Sequence, residues 1–219
     1  MTSRLRAALV LVAASAAGAR AAAQEPPPQT PAPPAGAIAD RSWSGNLQTY
    51  LYLQEDDDFL MPILGVDRGA LHFEGRFQYE DRQTGSLWAG WTLEAGEGLH
   101  LEAVPMAGVV FGRTSGLAPG LELTLTWKSL ELYSESEVVF DTEGAEGDFF
   151  YNWTEFSWQA AQWLKVGLVA QRTRMFKSEL AIDRGLFAAV DVGPVGISLY
   201  GFNLAADAPF VVLALAVDF

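Results

Sequence analysis

The chain has 219 residues, enough for one domain or two small ones, and half of them are apolar while 19% are charged. It has no cysteine, which excludes a disulfide scaffold, a thiolate zinc site and a thiol nucleophile, and its two histidines argue against a multi-histidine metal centre. Fourteen basic residues against 27 acidic ones give a net charge of −13, the wrong sign for a nucleic-acid binder, which must neutralise phosphates.

Residues 1–23 read as a signal peptide. A basic start, MTSRLR, precedes the apolar stretch AALVLVAASAAG, and Ala21-Ala22-Ala23 before Gln24 suits cleavage after small residues. The apolar stretch is too short to span a bilayer as a helix. No cysteine follows it, so a lipid anchor is excluded. Residues 24–42 form a Pro-rich linker, expected in the periplasm. Six of the eleven prolines fall within 25–40, and proline fixes φ and removes donors.

From residue 43 the apolar period is two, the signature of strands with one apolar and one polar face. In 121–127, Leu121, Leu123, Leu125 and Trp127 oppose Glu122, Thr124 and Thr126. In 71–80, Leu71, Phe73, Phe77 and Tyr79 oppose His72, Glu74, Arg76, Gln78 and Glu80. No later stretch offers 18 consecutive apolar residues. Aromatics such as Phe111, Trp127, Phe140 and Trp158 sit toward the strand ends, where interfacial girdles lie in a membrane barrel.

Short and long links then alternate, as periplasmic turns and extracellular loops do. In chain order the expected strands are 45–54, 59–66, 71–80, 86–95, 99–111, 121–127, 130–140, 149–158, 163–174, 182–192, 195–204 and 210–219. The short links are DRG, GEG, Lys128-Ser129, QAAQ and Gly193-Pro194. The fold class is therefore all-β: a single antiparallel transmembrane β-barrel over 43–219, with 12 strands. Strand 59–66 contains Pro62 and alternates poorly, which leaves open a ten-stranded barrel with 43–68 as plug or extension. Pro105 is expected to cause a bulge or kink.

The last strand ends at Phe219 with apolar residues at every second position, Leu215 and Val217 among them. This resembles the C-terminal signal by which the barrel assembly machinery recognises Gram-negative outer-membrane barrels. In size and strand number, residues 43–219 resemble the small twelve-stranded porins that pass acidic oligosaccharides or nucleosides. That resemblance implies an outer-membrane location. The chain departs from the pattern in charge, because an acidic-sugar porin needs a basic lumen.

With apolar faces outward, the lumen-lining residues are Glu74, Arg76, Glu94, Glu102, Glu122, Lys128, Glu131, Tyr133, Glu135, Glu137, Lys165, Asp183 and Asp191. Glu80, Tyr50, Tyr52 and Tyr200 share that parity. The acidic excess cannot all be paired, and dry unpaired carboxylates cost several kcal/mol each. The expected function is a narrow, acidic, cation-preferring diffusion channel for small cationic or neutral solutes. The alternative is a closed barrel with a structural or binding role. Arg172 and Arg174 fall on the lipid-facing parity, where outer-membrane lipids and lipopolysaccharide phosphates are the expected partners.

A lipid-modifying enzyme is the third reading. Nucleophilic chemistry needs a nucleophile, a base and an orienting group within reach. His72 and His100 both face the lumen near the periplasmic end, and neither has a serine at a suggestive spacing. No enzyme, cofactor or metal is assigned. The acidic run 55–58 lacks the spacing of a calcium loop.

Overall fold

Alternating side chains commit each strand to two unlike environments, and a closed barrel supplies both while leaving no unpaired edge. The computed structural model describes residues 42–55, 58–144, 147–175, 181–206 and 208–219. The signal peptide and nearly all of the Pro-rich linker fall outside these residues.

Among the described residues there are thirteen strand segments, all antiparallel to their neighbours. They are β1 (Trp43–Leu53), β2 (Phe59–Arg68), β3 (Leu71–Phe77), β4 (Thr84–Trp91), β5 (Leu93–Ala95), β6 (Leu99–Gly112) and β7 (Gly116–Trp127). Then come β8 (Leu130–Asp141), β9 (Phe149–Ala161), β10 (Leu164–Met175), β11 (Ala181–Val192), β12 (Val195–Phe202) and β13 (Phe210–Asp218). Sequence neighbours pair, except that β4 and β5 both pair with β6, and β1 closes the sheet on β13, with Asn46 opposite Asp218 and Leu53 opposite Val211.

β4 and β5 hold one register against β6: Gly90 faces Met106 and Leu93 faces Ala103. They are two halves of one strand, so the barrel has twelve. The interruption lies opposite Val104 and Pro105. Proline has no N–H to give to the ladder, while on the other side the Thr92 N–H continues the β3–β4 register to the Ala70 carbonyl at 2.8 Å. The expected bulge at Pro105 is thus a gap in the neighbouring strand, with β6 itself in register with β7. The register shift that does occur lies at Leu164/Lys165, beside the β9–β10 turn.

β2 is a full barrel strand, paired with β1 and β3, so the ten-stranded alternative is overturned. Pro62 is accommodated within β2 opposite Thr49. β7 begins at Gly116, five residues before the expected start, and Pro119 sits inside it. The β9–β10 turn is 162–163 rather than QAAQ, because β9 continues to Ala161.

The links at 69–70, 96–98, 128–129, 162–163 and 193–194 gather at one end, and the links there are two or three residues long. The tight turns need left-handed backbone: Gly193 takes φ 62° and Lys128 takes φ 56°. The strand ends that border the longer links 54–58, 78–83, 142–148, 176–180 and 203–209 lie at the other end, with 113–115.

The outer wall is apolar. Every strand exposes a large apolar side chain outward, among them Leu47, Leu64, Phe73, Leu87, Val109, Leu121, Phe156, Leu168, Leu186, Ile197 and Leu213. Trp43, Trp91, Trp127, Trp158 and Trp163 are exposed near the short-turn end, and Phe77, Phe111 and Phe140 near the long-loop end. Aromatic belts at both rims of an apolar band suit a bilayer. A polar island interrupts the band on β8 and β9. Asn152 on β9 donates to Ser134 Oγ (3.0 Å) and Ser136 Oγ (3.0 Å) on β8 and accepts from Thr154 at 3.0 Å. The group satisfies itself and leaves no bare amide facing outward.

Candidate functional site: a carboxylate-rich vestibule inside the barrel

The inner wall divides into two zones. From mid-barrel toward the long loops, the inward side chains are mostly apolar and packed, with Thr84, Ser86 and Glu137 buried among them. Tyr52 stacks on Phe59 (centroids 4.4 Å) and Phe202 on Phe210 (4.7 Å). Trp153 sets its edge against Tyr200 (5.4 Å) and Phe202 (5.5 Å). Beside them Trp88, Val104, Met106, Val110, Ala118 and Val139 form a second buried cluster. Small residues admit the large ones: a Cβ on Gly108 would stand 2.5 Å from the Trp88 ring. This half of the lumen is filled by side chains, as in small barrels. The expectation of a polar inner face is corrected there.

Toward the short turns the lumen opens into a cavity of about 380 Å³. β1, β2 and β3 contribute Asn46, Gln48, Asp67, His72, Glu74 and Arg76. β7, β8, β9, β10, β11 and β12 contribute Glu122, Tyr133, Glu135, Glu155, Lys165, Asp191 and Ser198. Six lining carboxylates, Asp67, Glu74, Glu122, Glu135, Glu155 and Asp191, face two permanent cations, Arg76 and Lys165.

Arg76 organises the inner end of this vestibule. Its guanidinium lies 2.5 Å from Glu74, 2.6 Å from Glu135, 3.2 Å from Glu137 and 3.7 Å from Glu122. Its faces are covered by Tyr79 (4.5 Å) and Trp88 (4.7 Å). A planar fork with five donors can serve several carboxylates while stacking on rings, which an ammonium cannot. Nearer the rim, His72 Nδ1 lies 2.7 Å from Asp67 Oδ1, and Lys165 Nζ lies 2.8 Å from Glu131 Oε1.

The sequence-expected residues are distributed as follows. Glu74, Arg76, Glu122, Tyr133, Glu135, Lys165 and Asp191 line the vestibule. Glu137 points inward but is buried against Arg76, with 2% exposure. Glu131 is the partner of Lys165 at the start of β8. Glu94 and Glu102 face each other across β5 and β6, near the short-turn rim. Asp183 sits near the opposite end and accepts from Asn203 Nδ2 at 2.7 Å. Lys128 does not line the lumen. It occupies the β7–β8 turn with its ammonium 4.7 Å from the outward Trp127 ring.

Arg172 is exposed on the outer face, in register with Asn152. Arg184 is exposed on the same face, opposite Ala170. Arg174 pairs in register with Phe150, and its side chain lies outside the described set. Leu215 and Phe219 are exposed on the outer face of the closing strand. Phe219 exchanges backbone hydrogen bonds with Gly45 at 2.7 and 2.9 Å.

Sequence reasoning missed Asp67, Met61 and Ile63, which line the vestibule from β2. The alternation Met61, Ile63, Gly65, Asp67 was the available signal, obscured by Pro62, Leu60 and Leu64 on the other face.

No protein-family model matches the sequence, and no curated protein does. Solved structures do match in fold. The KdgM porin superposes with a TM-score of 0.60 at 9% identity, covering 80% of this chain and 99% of that one. A KdgM porin in complex with disordered oligogalacturonate gives 0.61 at 9% identity with the same coverage. The outer membrane protein Omp33 of Acinetobacter baumannii gives 0.45 at 11% identity, covering 82% of this chain and 100% of that one. The chain is similar in fold to a small porin barrel.

Proposed function

We propose that the protein is an outer-membrane barrel of a Gram-negative bacterium that gives small cationic or neutral solutes a narrow diffusion path. The observation that carries this reading is the vestibule, where six carboxylates face two permanent cations inside an apolar barrel. A water-filled tube with that lining concentrates cations and repels anions, because low-dielectric walls focus the field. Short turns are periplasmic in such barrels, so the vestibule opens to the periplasm. Beyond it the path meets the Trp153, Tyr200 and Phe202 rings, which set a low conductance. A sugar acid such as the oligogalacturonate of the KdgM complex would meet carboxylates here, so an anionic cargo is not carried over.

The test is a reversal potential under a salt gradient across a bilayer holding the refolded protein. A shift toward the cation equilibrium potential supports the reading, and an anion-directed shift overturns it.

A second reading is favoured by one specific observation. Phe202, Val139 and Val212 have no exposure at all on the inner face. A barrel sealed there would bind solutes in the vestibule without passing them, and would be folded yet electrically silent.

Two contacts complete the proposal. Arg172 and Arg184 stand outward near the long-loop end, where lipopolysaccharide phosphates lie, and guanidinium groups bind phosphate bidentately. Leu215, Val217 and Phe219 supply the edge that the barrel assembly machinery reads.

A further inference from the structure

We propose that His72, Glu74 and Glu122 form a binding site for a divalent transition cation of the Zn²⁺ class, within the vestibule. This inference stands apart from the channel reading, since it needs only the folded barrel. One nitrogen and two carboxylate oxygens from these residues all lie within 4.8 Å of one another. Zinc binds such atoms at about 2.0–2.2 Å in a tetrahedron whose edges are about 3.3–3.6 Å. The widest pair therefore has to close by at most about 1.5 Å, within the reach of two glutamate side chains on the cavity wall. His72 Nε2 and Glu74 Oε1 are already 3.4 Å apart, close to the edge of a tetrahedron of that size.

The hydrogen-bond arrangement points the same way. A carboxylate only accepts, so His72 Nδ1 donates its proton to Asp67 Oδ1 at 2.7 Å. This fixes the ring and leaves Nε2 aimed at Glu74 and Glu122. That nitrogen is buried and has no hydrogen-bond partner. A carboxylate behind one imidazole nitrogen and an open lone pair on the other is how proteins orient zinc-binding histidines. Glu74 can serve both neighbours, because Oε2 faces Arg76 and Oε1 faces His72. Arg76 is the positive group that opposes a cation here, and its charge is already met by Glu135 at 2.6 Å and Glu137 at 3.2 Å. The three ligand residues border the vestibule, which gives an ion its entry. The mixture of imidazole and carboxylates suits zinc over calcium or magnesium, which take oxygen. The competing account is a ring protonated on both nitrogens, an imidazolium held between Asp67 and Glu74.

The test is calorimetric titration of the metal-stripped, refolded protein with Zn²⁺ alone. The expected result is one Zn²⁺ per barrel. His72→Ala should abolish it, Glu122→Gln should weaken it at least tenfold, and Asp67→Asn should weaken it 10- to 100-fold through the histidine it orients. The chain has two histidines, so His100→Ala is the control and should leave binding unchanged. Heat-modifiable migration on gels checks that each variant is folded. If His72→Ala does not fold, Glu122→Gln and His100→Ala decide the matter. No Zn²⁺ binding by the folded wild type would overturn the site and favour the imidazolium. Loss of binding in His100→Ala with retention in Glu122→Gln would overturn it equally.

Discussion

Nη1 of Arg76 on β3 lies 3.2 Å from Oε2 of Glu137 on β8, and each side chain is only 1% exposed. The pair ties two separated parts of the wall together through the lumen. Its energetic weight lies in what remains if one partner goes. Replacing Arg76 with Met leaves Glu74, Glu122, Glu135 and Glu137 without their shared cation. Breaking a buried pair this way costs about 3–5 kcal/mol. The denaturant midpoint of refolded Arg76→Met should fall accordingly. Glu137→Gln should cost less, because the guanidinium keeps its other carboxylates.

Selectivity should follow the vestibule carboxylates that do not hold Arg76. Glu155, Asp191 and Asp67 line the cavity, and none is an ion-pair partner of Arg76. The triple variant Asp67→Asn, Glu155→Gln, Asp191→Asn should lose most of the cation preference while the barrel still folds. Reversal potentials of wild type and variant under one salt gradient measure this directly. Neutralising Glu135 and Glu137 is a poorer test, since it dismantles the support of Arg76.

Conductance should be limited by the aromatic packing at mid-barrel. Trp153 touches both Tyr200 and Phe202 edge-on. Truncating Trp153 and Phe202 to Ala opens space between the vestibule and the long-loop end. The double variant should show single-channel steps severalfold larger than wild type. It should also be less stable by several kcal/mol, since each large aromatic-to-Ala change in a core costs about 3–5 kcal/mol.

Barrel closure depends on a contact between Gly45 and Phe219. A Cβ on Gly45 would collide with the Phe219 ring, and the two backbones exchange hydrogen bonds. Gly45→Val should displace Phe219 and slow closure of β1 on β13. Its heat-modifiable folded fraction should rise more slowly than that of wild type in a refolding time course.

The outward arginines give a lipid prediction. Arg172→Ala combined with Arg184→Ala should lower the lipopolysaccharide phosphate that copurifies with the barrel, measured per mole of protein. A double variant that retains as much phosphate as wild type would remove the proposed contact.

The strand count was legible because short and long links alternate, and each strand declares its outward face by parity. β2 was the hard case, and pairing with β1 and β3 outweighs the missing donor of Pro62. The filled half of the lumen was not legible. In β6, inward Val104, Met106 and Val110 sit between outward Leu101, Val109 and Phe111, so both faces are apolar and alternation disappears. Parity says whether a residue points inward, but not what it meets there. Arg76 meets Glu135 and Glu137 only because closure brings β8 within reach of β3 across the lumen. His72 and Glu74 were visible on one face of β3, whereas Asp67 and Glu122 join them through β2 and β7. Lys128 was misplaced because its parity was extended into a turn, where backbone at positive φ re-aims the side chain.

Single-channel recording of the refolded protein in planar bilayers, with a salt gradient, tests the central claim most directly. The account predicts small discrete steps and a reversal potential displaced toward the cation. A folded, heat-modifiable barrel that shows no steps, or one whose reversal potential favours anions, would contradict it.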